Sequence, residues 1–137
     1  MYDKAHVDLS LYRLSKSAEY LHDAKATLDL NMYDTAANRS YYSIFHAVRA
    51  VLALDGKDFK KHPGVISCFQ WDYIKTGVFD KKLSDILKSA FSLRTDSDYE
   101  DFYIIPKEDV VQQVAEAGEF YTEIKCYIEK HISSEND

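Results

Sequence analysis

The chain has 137 residues, 46% of them apolar, and only four glycines and two prolines. This composition is typical of a compact helical protein and excludes a disordered or fibrous one, and the length predicts a single domain over residues 1–137 with a buried core. The formal net charge of −6 argues against a general nucleic-acid coat protein, and no apolar run approaches the ~18 residues that a membrane span requires.

The first half of the chain predicts two long helices. Over residues 6–30, apolar side chains recur at steps of three, four and seven and so form one face of a helix, consisting of Val7, Leu11, Leu14, Ala18, Leu21 and Leu28. A second helix, capped by Asp34, is predicted to run to about residue 54. Its apolar stripe consists of Ala37, Tyr41, Ile44, Val48 and Val51.

The second half predicts three further helices. The third runs from Pro63 to about residue 75, the fourth begins after Asp80, and the fifth begins at Pro106. A polar loop is predicted over residues 95–105, and the tail from Ser133 is expected to fray. The predicted fold class is therefore all-α, with every element a helix.

The second helix has another face, opposite its apolar stripe, formed by Arg39, Ser43, His46, Ala50 and Ala53. Apart from the arginine and the histidine these side chains are small, and small side chains let a neighbouring helix approach closely. We expect a helix contact at this face, either within the bundle or across the twofold axis of a homodimer.

Arg39 and His46 are seven residues apart. Seven steps of about 100° make nearly two turns, so both side chains point the same way and lie about 10 Å apart along the helix axis. A permanent cation beside a group that titrates near neutrality can support phosphate chemistry. A structural interpretation is also open, because an arginine can pair with a nearby acid and a helical histidine is commonly a hydrogen-bonded core or interface residue.

Charge is distributed unevenly along the chain. From residue 95 to the end there are twelve acids and three bases, whereas residues 36–62 contain five bases and two acids together with His46 and His62. This asymmetry is either ordinary surface variation or a local basic zone that holds an anionic substrate. In the second case Lys57, Lys60 and Lys61 belong to the binding surface.

Other candidate sites have weaker support. Glu19 and His22 form one Glu-x-x-His pair, whereas a di-iron bundle needs two such pairs and two further glutamates, so we expect no metal and no cofactor. Cys68 and Cys126 are isolated, which predicts buried thiols in a reducing compartment. Because the first helix is predicted to begin within a few residues of Met1, no room is left for a signal peptide, and we expect a cytoplasmic protein.

Four segments together resemble the HEPN family (higher eukaryotes and prokaryotes nucleotide-binding domain), in its small stand-alone prokaryotic branch. They are NRSYYSIFHA at 38–47, KHPGVI at 61–66, KTG at 75–77 and FSLRTDSDY at 91–99. The resemblance covers nearly the whole chain. It implies an up-and-down bundle of four main helices plus a shorter one, commonly assembled as a homodimer that brings two sites into one cleft.

Active members of this family are metal-independent ribonucleases with an arginine followed, after four to six residues, by a histidine. The resemblance therefore implies that Arg39 and His46 are catalytic, that Asn38 orients a phosphate or holds the arginine, and that RNA is the substrate. His62 and Arg94 recur in the resembling segments, where they either flank the site or have a structural capping role.

Many relatives are toxins paired with a nucleotidyltransferase-type antitoxin, and this chain is predicted to be such an endoribonuclease toxin. In one branch the antitoxin modifies a tyrosine two residues after the histidine, but Val48 occupies that position here. The alternative is a non-catalytic HEPN module that binds a nucleotide or a protein, as other members of the family do.

Overall fold

The computed structural model describes residues 2–99, 101 and 104–136, and over these ranges it contains helices and no strand. The helices are α1 (Lys4–Asp29), α2 (Tyr33–Leu54), α3 (His62–Phe69), α4 (Lys81–Tyr99) and α5 (Lys107–Asn136), and a π-helical turn at Gln70–Ile74 continues α3. The predicted all-α bundle of four long helices and a shorter one is therefore confirmed.

The central helix of the bundle is α2, which packs against α1, α3, α4 and α5. The stripe predicted for this helix is fully buried in the core, from Ala37 to Val51. Packing around Tyr41 is aromatic, with Phe45 and Phe91 as ring neighbours. Since α2 is enclosed along most of its length, any of its polar side chains that reach solvent do so along a narrow edge.

Serine side chains join α1 to α2, and the order of their contacts shows that the two helices are antiparallel. Ser17 Oγ donates to the carbonyl of Ser43 at 2.6 Å, Ser43 Oγ donates to the carbonyl of Ser17 at 2.9 Å, and Ser10 Oγ donates to the carbonyl of Ala50 at 2.7 Å. Ser43 and Ala50 are fully buried by this contact. The expected helix contact at these small residues thus lies within the chain, and a homodimer through α2 has to use a different edge of the helix.

The helix boundaries differ from the predictions at three places. Asp34 lies in the first turn of α2 and does not cap it, since the helix already begins at Tyr33. The loop predicted from residue 95 is wrong in its first part, because α4 continues to Tyr99 and Thr95 Oγ1 donates to the carbonyl of Phe91 at 2.8 Å. Residues 100, 102 and 103 of that loop lie outside the described residues.

The tail also differs. Helix α5 includes Ser133 and extends to Asn136, so the segment expected to fray is helical in this structure, and residue 137 lies outside the described residues. The expectation of two buried thiols is wrong, because Cys126 is exposed and Cys68 is half-buried. In the described part of the chain, no helix combines the length and apolar character needed to span a membrane.

The segment between α2 and α3 starts with a turn that favours glycine. Gly56 has φ +73°, and a Cβ atom there would lie 2.6 Å from the His6 ring at the start of α1. The positive φ therefore favours glycine, whereas the contact with His6 can be relieved by a movement of that exposed side chain. This turn sends residues 57–61 back across the end of α2, next to His46.

Candidate functional site

A half-buried polar edge runs along α2. Between residues 40 and 54 every side chain of the helix is buried except Tyr42, His46 and Arg49, and Arg39 lies one turn before them, also half-buried. The steps of three, four and three residues place all four on one side of the helix. The same edge therefore brings together both residues of the predicted catalytic pair.

Tyr20 of α1 joins the two members of this pair. Its ring stacks on the His46 imidazole at a centroid distance of 5.2 Å and an interplanar angle of 6°. The guanidinium carbon of Arg39 lies 5.7 Å from the centroid of the same ring. One aromatic side chain thus contacts both residues and spans the two helical turns between them.

Arg39 differs from the other arginines in its partners. Arg13 and Arg49 form ion pairs with Asp58, and Arg94 forms one with Asp98. Within the described residues, Arg39 lies against the Tyr20 ring and has no carboxylate at ion-pair distance. Among these residues Arg39 therefore does not form the ion pair with a nearby acid that the structural interpretation expected.

The His46 imidazole is held in its neutral form. Burial lowers its pKa to about 4, and the charges of Arg49, Arg13, Lys16 and His62 act in the same direction. Its Nδ1 atom is buried and has no hydrogen-bond partner among the described residues. Near pH 7 the ring is therefore neutral and has the form of a proton acceptor, while the lowered pKa also makes it a weaker base than an ordinary histidine.

His62 lies beside His46 and is fixed by aromatic contacts. Its ring stacks on Phe45 at 4.0 Å, and its Nδ1 is 2.9 Å from the hydroxyl of the buried Tyr41. Burial, together with the charges of Arg94 and Arg49, lowers the pKa of His62. One ring nitrogen of His62 is therefore engaged with Tyr41, while the ring itself lines the same pocket as His46.

Arg94 approaches the edge of α2 from α4. Its Nη2 donates to the Tyr42 hydroxyl at 3.2 Å, and its guanidinium carbon lies 5.3 Å and 5.6 Å from the ring centroids of Tyr41 and Tyr42. Asp98 pairs with its Nε at 3.0 Å. These contacts make Arg94 a brace for the two tyrosines.

A pocket of about 200 Å³ opens beside His46. It is lined by residues from α2, from the following segment and from the start of α3, namely Tyr42, Phe45, His46, Arg49, Asp58, Phe59, Lys60 and His62. Of the residues predicted from the sequence, the pocket contains His46, Lys60 and His62. Arg39 is joined to it through Tyr20.

The remaining predicted residues do not line this pocket. Lys57 Nζ forms an ion pair with Asp72 at 3.0 Å and lies over the Tyr73 ring, on the side of the α3 region. Lys61 is exposed at the start of α3, and Asn38 is half-buried next to Arg39. The basic zone predicted for residues 36–62 is thus divided between the His46 pocket, which Lys60 lines, and the α3 side, where Lys57 lies.

Four residues at or next to the site were not singled out by sequence reasoning: Tyr20, Arg13, Arg49 and Asp58. The first two come from α1, and their positions depend on the register between α1 and α2, for which a single sequence gives no signal. Arg49 follows His46 by one helical turn, so helical spacing is a signal that could identify it. Within the described residues, no group of three or more His, Cys, Asp or Glu side chains is placed to hold a metal ion.

Comparison with known proteins identifies relatives over most of the chain. The family model described as "HEPN domain" matches residues 10–127. A "UPF0332 protein" of Thermotoga maritima is 33% identical over 118 residues, which is 86% of this chain and 89% of the relative. A Methanocaldococcus jannaschii protein named "Putative toxin MJ0142" is 34% identical over 130 residues, covering 93% of this chain and 88% of the relative. A second protein of that organism, "Putative toxin MJ0605", is 33% identical over 81 residues, covering 59% and 60%.

Proposed function

This chain belongs to the HEPN domain family, and we propose that it is a metal-independent endoribonuclease in which Arg39 and His46 are catalytic. One observation carries the proposal: the imidazole of His46 is neutral, has a free ring nitrogen, and lies on the same Tyr20 ring as the guanidinium of Arg39. This arrangement provides a proton acceptor next to a cation that is free of carboxylate partners in the described part of the chain.

The chemistry that fits these groups is an intramolecular displacement at phosphorus. His46 takes the proton of an RNA 2′-hydroxyl, and the 2′-oxygen attacks the adjacent phosphorus. The bond from phosphorus to the 5′-oxygen breaks, that oxygen takes up a proton, and a 2′,3′-cyclic phosphate is left on the other fragment. Arg39 stabilises the negative charge that develops on the phosphorane, as pre-positioned charge does in other phosphoryl transfers.

The proton for the leaving oxygen needs a second group. A neutral His46 is a poor acid before it has accepted a proton, and His62 is held by Tyr41 with a lowered pKa. A homodimer that joins two α2 edges supplies a second Arg39 and a second His46, so that one imidazole accepts while the other donates. Sedimentation at tens of micromolar tests this: we expect a dimer, and a monomer with full activity contradicts it.

We further propose that the enzyme acts as the toxin of a toxin–antitoxin pair. The support is that two Methanocaldococcus jannaschii relatives carry the name "Putative toxin". A nucleotidyltransferase-type antitoxin is the partner that the family suggests. Modification two residues after His46 is not available to it, because Val48 has no hydroxyl and is fully buried.

A ribonuclease assay in excess chelator tests the activity. We expect cleavage of single-stranded RNA to persist in EDTA and to leave 2′,3′-cyclic or 3′-phosphate ends, with a purified His46→Ala preparation as the control for contaminating nuclease. Cleavage that survives that substitution contradicts the assignment of the site. No cleavage of varied RNAs, with any co-purifying partner removed, favours the alternative of a non-catalytic binding module.

A further inference from the structure

Asp58 lies at the mouth of the His46 pocket between two arginines. One carboxylate oxygen is 3.2 Å from Arg13 Nη2, and the other is 3.5 Å from Arg49 Nη2. The side chain of Arg13 is 9% exposed, whereas that of Asp58 is 57% exposed. An exposed carboxylate thus occupies a position that faces two guanidinium groups, one of them behind the pocket wall.

The charges around this position do not balance. Arg13, Arg49 and Lys60 provide three positive charges, and among the residues that line the pocket Asp58 is the acid that opposes them. Burial opposes ionisation of Asp58, but the hydrogen bond and charge of Arg13, the Phe59 N–H and Arg49 outweigh it and hold the pKa of the carboxyl below its usual range. The pocket therefore has a net positive charge even while Asp58 is ionised.

Two polar side-chain atoms beside the pocket also have no hydrogen-bond partner among the described residues. They are Arg49 Nε and His46 Nδ1, and both are buried. Buried polar atoms are normally satisfied, so the free N–H at Arg49 Nε indicates a missing acceptor beside the pocket, whereas His46 Nδ1 is the atom assigned above to accept a proton. A phosphate group offers more acceptor oxygens than a carboxylate, and it matches the planar guanidinium of arginine well.

We propose that Arg49, with Arg13 behind it, forms a phosphate subsite next to His46, which the Asp58 carboxylate fills when no ligand is bound. A phosphate displaces Asp58 toward solvent and takes over its contacts with Arg49 and Arg13, while Lys60 neutralises further charge. That this phosphate belongs to RNA rests on the proposed function. It is then a backbone phosphate next to the scissile one, since Arg49 lies one helical turn beyond His46 and away from Arg39.

The exchange requires the phosphate to replace both contacts of Asp58. The contact with Arg49 is the longer one at 3.5 Å, whereas Arg13 is 9% exposed and loses a contact of 3.2 Å that the phosphate has to take over. The segment that carries Asp58 is fixed at Gly56, two residues earlier, while the Asp58 side chain itself is mostly in solvent. Asp58 therefore acts as an internal competitor for the ligand.

The test is the binding of a 2′-O-methyl oligoribonucleotide, which cannot be cleaved by 2′-hydroxyl attack, measured by fluorescence anisotropy at several salt concentrations. Asp58→Asn removes the charge and keeps an acceptor oxygen for Arg13. We expect binding to tighten by about three- to tenfold, as the removal of one like charge near the ligand allows, and the salt slope to steepen by about 0.7.

Two further variants make the result specific. Glu119→Gln is the control, since it changes the net charge by the same amount. Glu119 pairs with Lys82 at 2.7 Å on the α4–α5 side and not at the His46 pocket, so we expect no change in affinity. Arg49→Gln should weaken binding, and adding Asp58→Asn to it should give no gain. Unchanged or weaker binding by Asp58→Asn, or a gain that persists without Arg49, overturns the proposal.

A second probe separates this proposal from the ribonuclease assignment. Titration with inorganic phosphate, followed by the NMR signals of the His46 ring, should show tighter binding to Asp58→Asn than to the wild type. The same tightening together with failure to bind or cleave any RNA supports the anion site and contradicts the RNA ligand. Absence of phosphate binding in both proteins overturns the subsite, whatever the outcome with RNA.

Discussion

The His46 pocket and a groove between α4 and α5 are both polar cavities of this bundle, and they differ in charge more than in size. The groove is larger, about 320 Å³ against about 200 Å³, and its lining includes Asp96, Asp109 and Glu116 but no lysine, arginine or histidine. The smaller pocket is lined by two histidines, an arginine and a lysine, with one carboxylate among them. For an anionic substrate, the sign of the charge decides between the two cavities, and volume does not.

Their buried polar groups also differ. In the groove, the amide nitrogen of Gln113 donates to the Ala37 carbonyl at 3.1 Å and to Ser40 Oγ at 2.7 Å, and so ties α5 to α2. The Oε1 atom of Gln113 is buried without a partner among the described residues, as are His46 Nδ1 and Arg49 Nε in the pocket. Both cavities therefore have open buried polar atoms. Those of the groove belong to a neutral amide that ties two helices together, whereas those of the pocket belong to an imidazole and a guanidinium, which suit an anionic ligand.

The largest effect that distinguishes the two cavities is expected from His46→Ala. If His46 is the general base, the rate of RNA cleavage should fall by roughly 10²–10⁴, the usual contribution of acid–base catalysis. Gln112→Ala in the groove is the matched control and should leave the rate unchanged. Single-turnover cleavage of one labelled RNA measures both, and a comparable loss in the groove variant contradicts the comparison.

Arg39→Lys should have the next largest effect. An ammonium group keeps the charge but not the paired donors or the flat face that lies near Tyr20, so we expect a loss on the order of 10² in the cleavage rate. Arg94→Lys is the comparison variant, since Arg94 braces Tyr42 from α4, and its loss should be smaller. Circular dichroism should show that both variants stay folded, and equal losses mean that Arg39 is only structural.

The pH dependence of stability gives a third, smaller effect. Because the fold lowers the pKa of His46 to about 4, protonation favours the unfolded chain, in which the pKa is about 6.5. The stabilisation by neutral His46 is therefore fully present above about pH 6.5 and is lost as the pH falls toward 4. His46→Asn should flatten the fall in unfolding free energy over this window, and an NMR titration of His46 near its ordinary value contradicts the argument.

The smallest effect separates two lysines that the sequence treats alike. Lys60 lines the pocket, whereas Lys57 pairs with Asp72 at 3.0 Å. Lys60→Glu should weaken RNA binding by a few-fold and reduce the salt slope by about 0.7 for the lost phosphate contact. Lys57→Glu should have less effect on both, and an equal decrease means that the RNA path extends across the α3 side.

Periodicity was sufficient to predict the helices, because long apolar stripes such as that of α2 report burial directly. It failed at residues 95–99, where polar side chains continue α4 although the composition is typical of a loop. For the site, the spacing of Arg39 and His46 was enough to place them on one edge. Tyr20 and Asp58 were missed because their proximity to His46 depends on helix register and on a turn at Gly56, and neither leaves a periodic signal.

The reciprocal bonds between Ser17 and Ser43 have a mechanical consequence for the site. Two helices that pack through small side chains have few interlocking contacts, so one helix could shift along the other. A slip of α1 by a single turn would displace Tyr20 by about 5.4 Å and separate it from both Arg39 and His46. The reciprocal serine bonds oppose this sliding, so a change at Ser17 can move Tyr20 away from Arg39 and His46, the proposed catalytic pair on α2, without touching either member.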